Sequence, residues 1–294
     1  MIIFQIESSK LKRNVDVFAD VLKKNLLRLT SISTVILNSK TSLAATSIGI
    51  PAASILNDDQ YKKSLFNIPP KELAYPNWIA GEWETNFNFD GAGFTDLIDF
   101  KKLSKDVNVA GFRKYSVAFM PDIGQDVNAK MRFIVRNDKV VEDIEYNLKS
   151  VIEAQQRNEK ANVHDFVYDP TNNPNRIGFK YDDNKGNGQV EIFINDRKTT
   201  FQDNNYKSIT TLRQSSVRRR EDLISSSGGL KFAASQVLCD YAIESIFKYN
   251  KSDDKIEGIF RIFSYLQPQD SLYFIIPDRP VSFFQYKINM IRTI

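Results

Sequence analysis

The chain has 294 residues, of which 42% are hydrophobic and 12% aromatic, and its 40 basic and 36 acidic residues give a net charge of +4. This composition supports a substantial core and excludes disorder of the whole chain, and so small a net charge does not indicate a nucleic-acid-binding protein. The single cysteine, Cys239, excludes an internal disulfide, and the single histidine, His164, excludes a multi-histidine metal site.

Residues 1–56 differ in composition from the remaining chain. Basic residues and apolar residues at helical spacing occupy residues 1–30, whereas residues 30–56 are rich in Ser and Thr and contain no acidic residue. Basic, amphipathic, hydroxyl-rich and acid-poor segments are typical of organelle transit peptides. The sequence therefore predicts a helical targeting region and linker over residues 1–56, followed by a single domain over residues 57–294.

An alternative for this region stays open. Glu7, Asp16 and Asp20 favour an ordinary surface helix followed by a polar linker. Neither interpretation includes a membrane-spanning helix, because the uncharged stretches, residues 29–38 and 41–57, are shorter and more polar than the about 20 apolar residues that such a helix needs.

Ten segments of the domain alternate apolar and polar residues or are rich in aromatic residues, as strands are. Turn-forming residues separate them, most densely at residues 169–175 and 182–188. We therefore expect a mainly β protein, an antiparallel β-barrel of lipocalin-like type. The predicted strands are residues 82–90, 112–120, 128–136, 163–168, 175–181, 188–195, 206–217, 231–248, 256–266 and 281–292.

Two segments of the domain have helical patterns. Over residues 141–159, Ile144, Leu148 and Val151 recur at spacings of three and four with no Gly or Pro, which predicts one helix packed on or beside the sheet. Residues 55–66 predict a shorter amphipathic helix ahead of the first strand.

A Gly-x-Trp step, Gly81 to Trp83, opens the first predicted strand. Glycine allows a sharp turn at this point, and the tryptophan can close one end of a barrel. In an up-and-down barrel the last strand pairs with the first, which places residues 281–292 beside Trp83 and removes an exposed edge. We expect a cation, Arg261 or Lys287, to stack on Trp83; the alternative is that Trp83 is simply a large core residue. The residues predicted to close the barrel are Trp78, Gly81, Trp83, Arg261 and Tyr286.

Several short motifs occur in a specific order along the chain. Residues 76–83 read Pro-x-Trp-x-x-Gly-x-Trp, residues 172–176 read Asn-Asn-Pro-Asn-Arg, and residues 268–270 read Pro-Gln-Asp. With the strand around residues 284–287, they resemble an uncharacterised family of cyanobacterial and plastid proteins that is named only as a domain of unknown function. The closing strand departs from the family, because Gln285 stands where a basic residue is usual between two aromatic residues.

The resemblance covers residues 65–292 and implies a location in the cell rather than an activity. It implies a plastid protein in the thylakoid lumen or associated with the thylakoid, in agreement with the targeting region predicted from composition. It implies no reaction and no cofactor.

No group of residues specifies a catalytic site. His164 and Asp165 are adjacent, but no nucleophile at a recognisable turn accompanies them. Cys239 lies in an apolar segment and is interpreted as a buried hydrophobic residue. Arg218, Arg219 and Arg220 form a basic cluster that could contact an acidic partner or a lipid headgroup, although three adjacent cations beside two carboxylates are more often a solvated turn. We therefore expect no enzyme, no cofactor and no metal.

Two functions remain as hypotheses. The first is a non-enzymatic, thylakoid-associated barrel that binds a small apolar ligand such as a pigment, quinone or lipid, because the strands are aromatic and alternate. The second is an accessory or assembly factor that docks on a photosynthetic membrane complex or on the membrane surface, with the basic cluster as a contact loop. Neither hypothesis includes nucleic acid as a partner.

Overall fold

The computed structural model describes residues 51–63, 71–105, 108–112, 117–118, 124–155, 162–183, 186–219 and 235–293. These residues lie in one compact unit, Leu43–Ile294. The predictions for residues 1–50 and for Arg220 fall outside the described residues. None of the helices in the described part of the chain is long and apolar enough to cross a membrane.

Ten strands of the described residues form one antiparallel sheet that curls into a half-barrel. The order across the sheet is β3-β2-β1-β10-β9-β8-β7-β6-β5-β4. The mainly β, barrel-type fold predicted from the sequence is thus confirmed. The strands are β1 (Gly81–Phe94), β2 (Val127–Arg136), β3 (Lys139–Glu142), β4 (Asn162–Asp169), β5 (Asn173–Asp183), β6 (Gly186–Gln202), β7 (Asn205–Arg219), β8 (Ser235–Asn250), β9 (Lys255–Tyr265) and β10 (Ser282–Arg292).

Alternation along the strands creates the interior of the half-barrel. In β2, Val127, Ala129, Met131 and Phe133 are buried while the residues between them are more exposed. Successive side chains of a strand point to opposite faces, so every second residue enters the core. The same pattern in the other strands builds one large interior cluster beneath the sheet.

The first and last strands pair as predicted, but the sheet does not close through its backbone. Trp83 in β1 lies opposite Arg292 in β10. The edges are instead β3, which the sequence analysis did not predict, and β4. The strand predicted at residues 112–120 is not observed where that segment is described, since residues 112, 117 and 118 lie outside the strands.

Three α-helices occur among the described residues: α1 (Ala52–Leu56), α2 (Phe100–Leu103) and α3 (Ile144–Ala154). Helix α3 corresponds to the predicted helix over residues 141–159. It begins after Asp143, whose carboxylate accepts a hydrogen bond from the backbone N–H of Tyr146, and it buries Leu148 and Val151. The helix predicted over residues 55–66 is replaced by α1 and a 3-10 helix, Asp59–Tyr61.

Helix α3 occupies the opening between the edge strands β3 and β4, which we call the seam. It packs on both β2 and β4. Because β3 pairs only with residues 133–136 of β2, no strand reaches Lys130 and Arg132 on that side. Their backbone N–H groups donate instead to Ser150 Oγ and Asn147 Oδ1, each at 2.7 Å. Side chains of the helix therefore satisfy backbone groups that would otherwise form an exposed edge.

A second element, residues 71–75, crosses the seam at one end of the half-barrel. Glu72 Oε1 accepts hydrogen bonds from Arg136 at the end of β2, at 2.6 Å, and from the Tyr168 hydroxyl in β4, at 2.8 Å. The backbone N–H of Tyr75 donates to Val140 O in β3 at 2.8 Å. The two edges are thus joined by side chains rather than by a sheet ladder.

The outer face of the sheet is also covered in part. Ile55 and Leu56 of α1 are buried against an outer cluster that contains Phe263 and Phe283. Tyr61 stacks on Phe263 with ring centroids 3.9 Å apart. Residues 52–56, which the sequence analysis placed in the N-terminal region, are therefore packed on the folded unit.

Candidate functional site

A pocket inside the half-barrel lies between α3 and the sheet and is partly enclosed. The volume of the pocket is about 70 Å³. A water molecule needs about 10–15 Å³ of volume measured in this way, so the pocket has room for several waters. Its apolar wall comprises Leu73, Met131, Phe133, Ile144, Leu148, Val151, Ile194, Leu212, Ile243, Phe247 and Phe260.

Polar side chains cluster on part of the pocket surface. Ser208 and Thr210 come from β7 and Ser245 from β8, all on the inward face. Ser208 lies directly opposite Ser245 across the two strands, and Ser245 lies opposite Phe260 of β9. Because directly opposed side chains are close neighbours, the two serine hydroxyls lie next to each other on the pocket wall. The other polar residues of the lining are Glu72, Tyr75, Glu142, Asn147 and Arg197.

Glu142 is an acidic group held deep in this pocket. Its Oε1 accepts a hydrogen bond from Asn147 Nδ2 at 3.1 Å, and its Oε2 accepts one from the Tyr75 hydroxyl at 3.4 Å. Burial raises the pKa of the Glu142 carboxyl above its ordinary value. The uncharged carboxyl is therefore favoured over a wider pH range here than in water, and in that form it can donate as well as accept a hydrogen bond.

Arg197 of β6 lines the pocket and donates hydrogen bonds to residues 71–75 and to β5. Its Nη1 donates to Lys71 O at 2.8 Å and to Asn175 Oδ1 at 3.1 Å, and its Nη2 donates to Pro174 O at 3.1 Å. Desolvation lowers the pKa of the guanidinium. These contacts hold residues 71–75 and the start of β5 against β6.

The arrangement of the pocket suits the recognition of a small molecule. Hydrogen-bonding groups face a small space with a largely apolar wall, the pattern of sites that bind small molecules. His164 lies on β4, half-buried, with Nε2 3.1 Å from Asp182 Oδ2, and Cys239 is buried. No group of three or more His, Cys, Asp or Glu side chains that could hold a metal ion occurs among the described residues.

The Gly-x-Trp step lies at the end of the half-barrel where β1 begins and β10 ends. Trp83 is fully buried, and its indole N–H donates to Ile79 O at 2.7 Å. The guanidinium of Arg292 lies over the indole ring at 4.2 Å. It also donates to Trp78 O at 3.0 Å and to Asp254 Oδ2 at 2.7 Å. A cation therefore does stack on Trp83, as the sequence analysis expected.

The stacking cation is Arg292, so the assignment to Arg261 or Lys287 is wrong. Arg261 lies on the opposite face of the sheet, where it donates to Glu244 Oε2 at 2.8 Å and to Gln285 Oε1 at 2.6 Å. Lys287 pairs with Asp90 at 2.7 Å. Strand parity separates them, because Arg261 and Lys287 belong to the outward set of their strands.

The remaining residues predicted at the closure lie close to it or deeper in the core. Gly81 has φ +120°, a conformation that favours glycine, and a Cβ atom there would lie 2.7 Å from Arg292 Nη1, so the guanidinium would have to shift. Trp78 stacks on Tyr249 with ring centroids 5.2 Å apart. Tyr286 is fully buried further along β10, where it contacts Phe89 edge-on at 5.4 Å.

The predicted contact loop is only partly within the described residues. Arg218 and Arg219 are the last residues of β7, at the end of the half-barrel opposite Trp83. Arg220 falls outside the described residues. The first two residues of the cluster are therefore placed by their backbone at the end of β7.

The pocket residues were not identified from the sequence as a site. They come from residues 71–75, from β2, β3, α3 and from β6 to β9, and no spacing in the sequence brings these segments together. The one signal available was the placement of Ser208, Thr210 and Ser245 at inward positions between large apolar residues, which are Tyr206 and Leu212 in β7 and Ile243 and Phe247 in β8.

The fold and the pocket together define a half-barrel protein with an interior pocket and a tryptophan–arginine closure. Residues 67–294 match the family model described as a domain of unknown function, DUF6816. Because the match covers most of the chain, the protein belongs to this family. No curated protein and no solved structure gives a match to the chain.

Proposed function

We propose that this protein is a non-enzymatic, thylakoid-associated binding protein that holds a small, mainly apolar molecule in the half-barrel. The observation that carries the proposal is the partly enclosed pocket, in which a largely apolar wall faces a few hydrogen-bonding groups. Pockets of this composition are the usual sites of small-molecule binding in proteins.

The volume of the pocket narrows the class of ligand. Pockets for drug-sized ligands measure about 300–1,000 Å³, whereas this one offers about 70 Å³. A whole pigment or quinone does not fit this space. The proposal therefore concerns a molecule of a few non-hydrogen atoms, or the end of a longer lipid or isoprenoid chain whose remainder extends beyond the pocket.

The proposed plastid location has separate support. The acid-poor, hydroxyl-rich residues 30–56 follow a basic amphipathic segment, as in transit peptides. The order of motifs along the chain also resembles a family of cyanobacterial and plastid proteins. Import of a fluorescent fusion of residues 1–56 into isolated chloroplasts checks this part of the proposal by itself.

Native mass spectrometry of the protein purified from its own source, followed by solvent extraction, tests the proposal. We expect a small molecule at one copy per chain. Thr210→Phe places a ring in the pocket and should remove that molecule, because Thr210 lines the space. Thr200→Phe makes the same change at an exposed position of β6 and should leave the molecule bound. Bare protein from the native source, or equal occupancy in both variants, contradicts the proposal.

A second function, docking on a photosynthetic membrane as an accessory factor, has its own supporting observation. The turn Tyr273–Ile275 exposes 85% of Phe274 and 52% of Ile275. Leu272 and Tyr273 pack on the same small cluster as Leu103 of α2, and Lys101 and Lys102 of that helix are exposed. Large exposed apolar side chains beside lysines suit an anionic lipid surface.

Sedimentation with isolated thylakoid membranes distinguishes this second function. Replacing both Phe274 and Ile275 by Ser should lower the membrane-bound fraction at least about tenfold, because burying one large apolar side chain contributes about 1.5–3 kcal/mol. Phe201→Ser is the control, since Phe201 is also exposed but lies on β6. Unchanged binding of the double variant, or an equal loss in the control, rules out docking through this turn.

A further inference from the structure

We propose that the ligand of this pocket carries one uncharged hydrogen-bonding group, a hydroxyl or a carbonyl, which Ser245, Ser208 and Glu142 receive while its apolar body lies against α3. This inference rests on the proposed function and deepens it, because it names the chemical class of the ligand.

The distribution of polar groups in the pocket leads to this class. Ser208 of β7 and Ser245 of β8 lie next to each other on the pocket wall. Leu148 and Val151 of α3 and Phe133 of β2 form apolar parts of the lining. A molecule that occupies the pocket therefore meets hydrogen-bonding groups on one side and hydrocarbon on another.

The serine hydroxyls make a wholly apolar ligand costly. Ser208 is 3% exposed and Ser245 is 6% exposed, and both line the pocket. Water in the pocket can bond to such hydroxyls, but a hydrocarbon that displaces the water cannot. Leaving a buried donor or acceptor without a partner costs about 1–3 kcal/mol. A hydroxyl or carbonyl on the ligand replaces the bond that the water made.

The acidic group of the pocket favours an uncharged ligand as well. Burial raises the pKa of the Glu142 carboxyl, so its neutral form persists to a higher pH than in water. A neutral carboxyl can donate to a carbonyl or accept from a hydroxyl. An anionic ligand would have to lose its hydration beside this carboxyl, which is unfavourable in a desolvated site.

Three probe molecules with four non-hydrogen atoms each test the inference: 2-propanol, 2-methylpropane and acetate. Titrations of the full chain followed by NMR chemical shifts give the three dissociation constants. We expect 2-propanol to bind about tenfold more tightly than 2-methylpropane, the factor expected for one net hydrogen bond, and acetate to bind more weakly than 2-propanol.

Two serine variants connect the preference to the pocket. Ser245→Ala should reduce the ratio of 2-propanol affinity to 2-methylpropane affinity toward one, with the affinity for 2-methylpropane unchanged or improved. Ser54→Ala, on the exposed surface of α1, is the matched control and should keep the full ratio. A thermal melt of each variant verifies that it folds, and a small Ser→Ala change keeps the shape of the pocket.

Each outcome separates the two proposals. Equal affinity for 2-propanol and 2-methylpropane overturns the hydrogen-bonding class while the binding function stands. Tightest binding of acetate overturns the uncharged class and assigns the pocket to anions. Failure of all three probes to bind overturns the proposed function itself, because molecules of a few non-hydrogen atoms are the ones that the pocket volume admits.

Discussion

Replacement of Trp83 by Ala should lower the free energy of unfolding by about 3–5 kcal/mol, the range for removing a large aromatic side chain from a core. Trp83 is fully buried in the interior cluster. The change also removes the hydrogen bond to Ile79 O and the ring on which Arg292 stacks. Because β1 and β10 meet at this position, the loss affects the pairing of the first and last strands.

Equilibrium unfolding in urea, followed by circular dichroism, measures this effect. Phe274→Ser is the control, since it also removes an aromatic ring but at a position that is 85% exposed. The control should stay within about 0.5 kcal/mol of the parent protein. A Trp83→Ala variant that loses less than about 1 kcal/mol would show that this end of the half-barrel does not depend on the indole.

A second large effect is expected for Glu244→Gln, which should lower the free energy of unfolding by about 3–5 kcal/mol. The Glu244 side chain is fully buried on the outer face of the sheet, and its carboxylate pairs with Arg261 and Lys207, each at 2.8 Å. The Tyr61 hydroxyl donates to the same carboxylate at 2.8 Å. A neutral amide leaves the largely buried guanidinium of Arg261 without its counter-charge. Removing one partner of a buried ion pair is strongly destabilising because the remaining charge stays buried without compensation.

Glu145→Gln provides the matched control for this charge. Glu145 and Lys149 form an exposed pair one helical turn apart on α3, 2.6 Å from atom to atom. Such pairs contribute about 0.3–0.5 kcal/mol, so the control should scarcely change the urea midpoint. If both variants lose the same stability, the buried pair on the outer face contributes no more than a surface pair.

The strands and α3 were predictable because their patterns are local. Strict alternation in β2 and the three- and four-residue spacing of Ile144, Leu148 and Val151 each identify an element without reference to the rest of the chain. The pairing of β1 with β10 was also predicted, because the last strand of an up-and-down barrel pairs with the first. These features follow from backbone geometry, which the sequence pattern reflects directly.

The features that the sequence did not reveal depend on register or on very short segments. Strand β3 has four residues, too few for a pattern, yet it supplies Glu142 to the pocket. Arg292 is the last residue of β10, and its register with β1 places it opposite Trp83, whereas Arg261 belongs to the outward set of β9. The pocket itself is assembled by sheet curvature and by the seam, neither of which any single segment encodes.

The order of the sheet has a consequence for how the protein is made. The N-terminal strands β1 to β3 lie beyond β10, so the pairing of β1 joins segments from nearly opposite ends of the folded unit. Closing so long a loop is entropically costly and slows folding. During synthesis the N-terminal strands are made first, so β1 cannot pair with β10 until β10 has been made. Trp83 therefore gains its contact with the Arg292 guanidinium last. The interior therefore stays open to solvent, and to chaperones, until the last strand has left the ribosome.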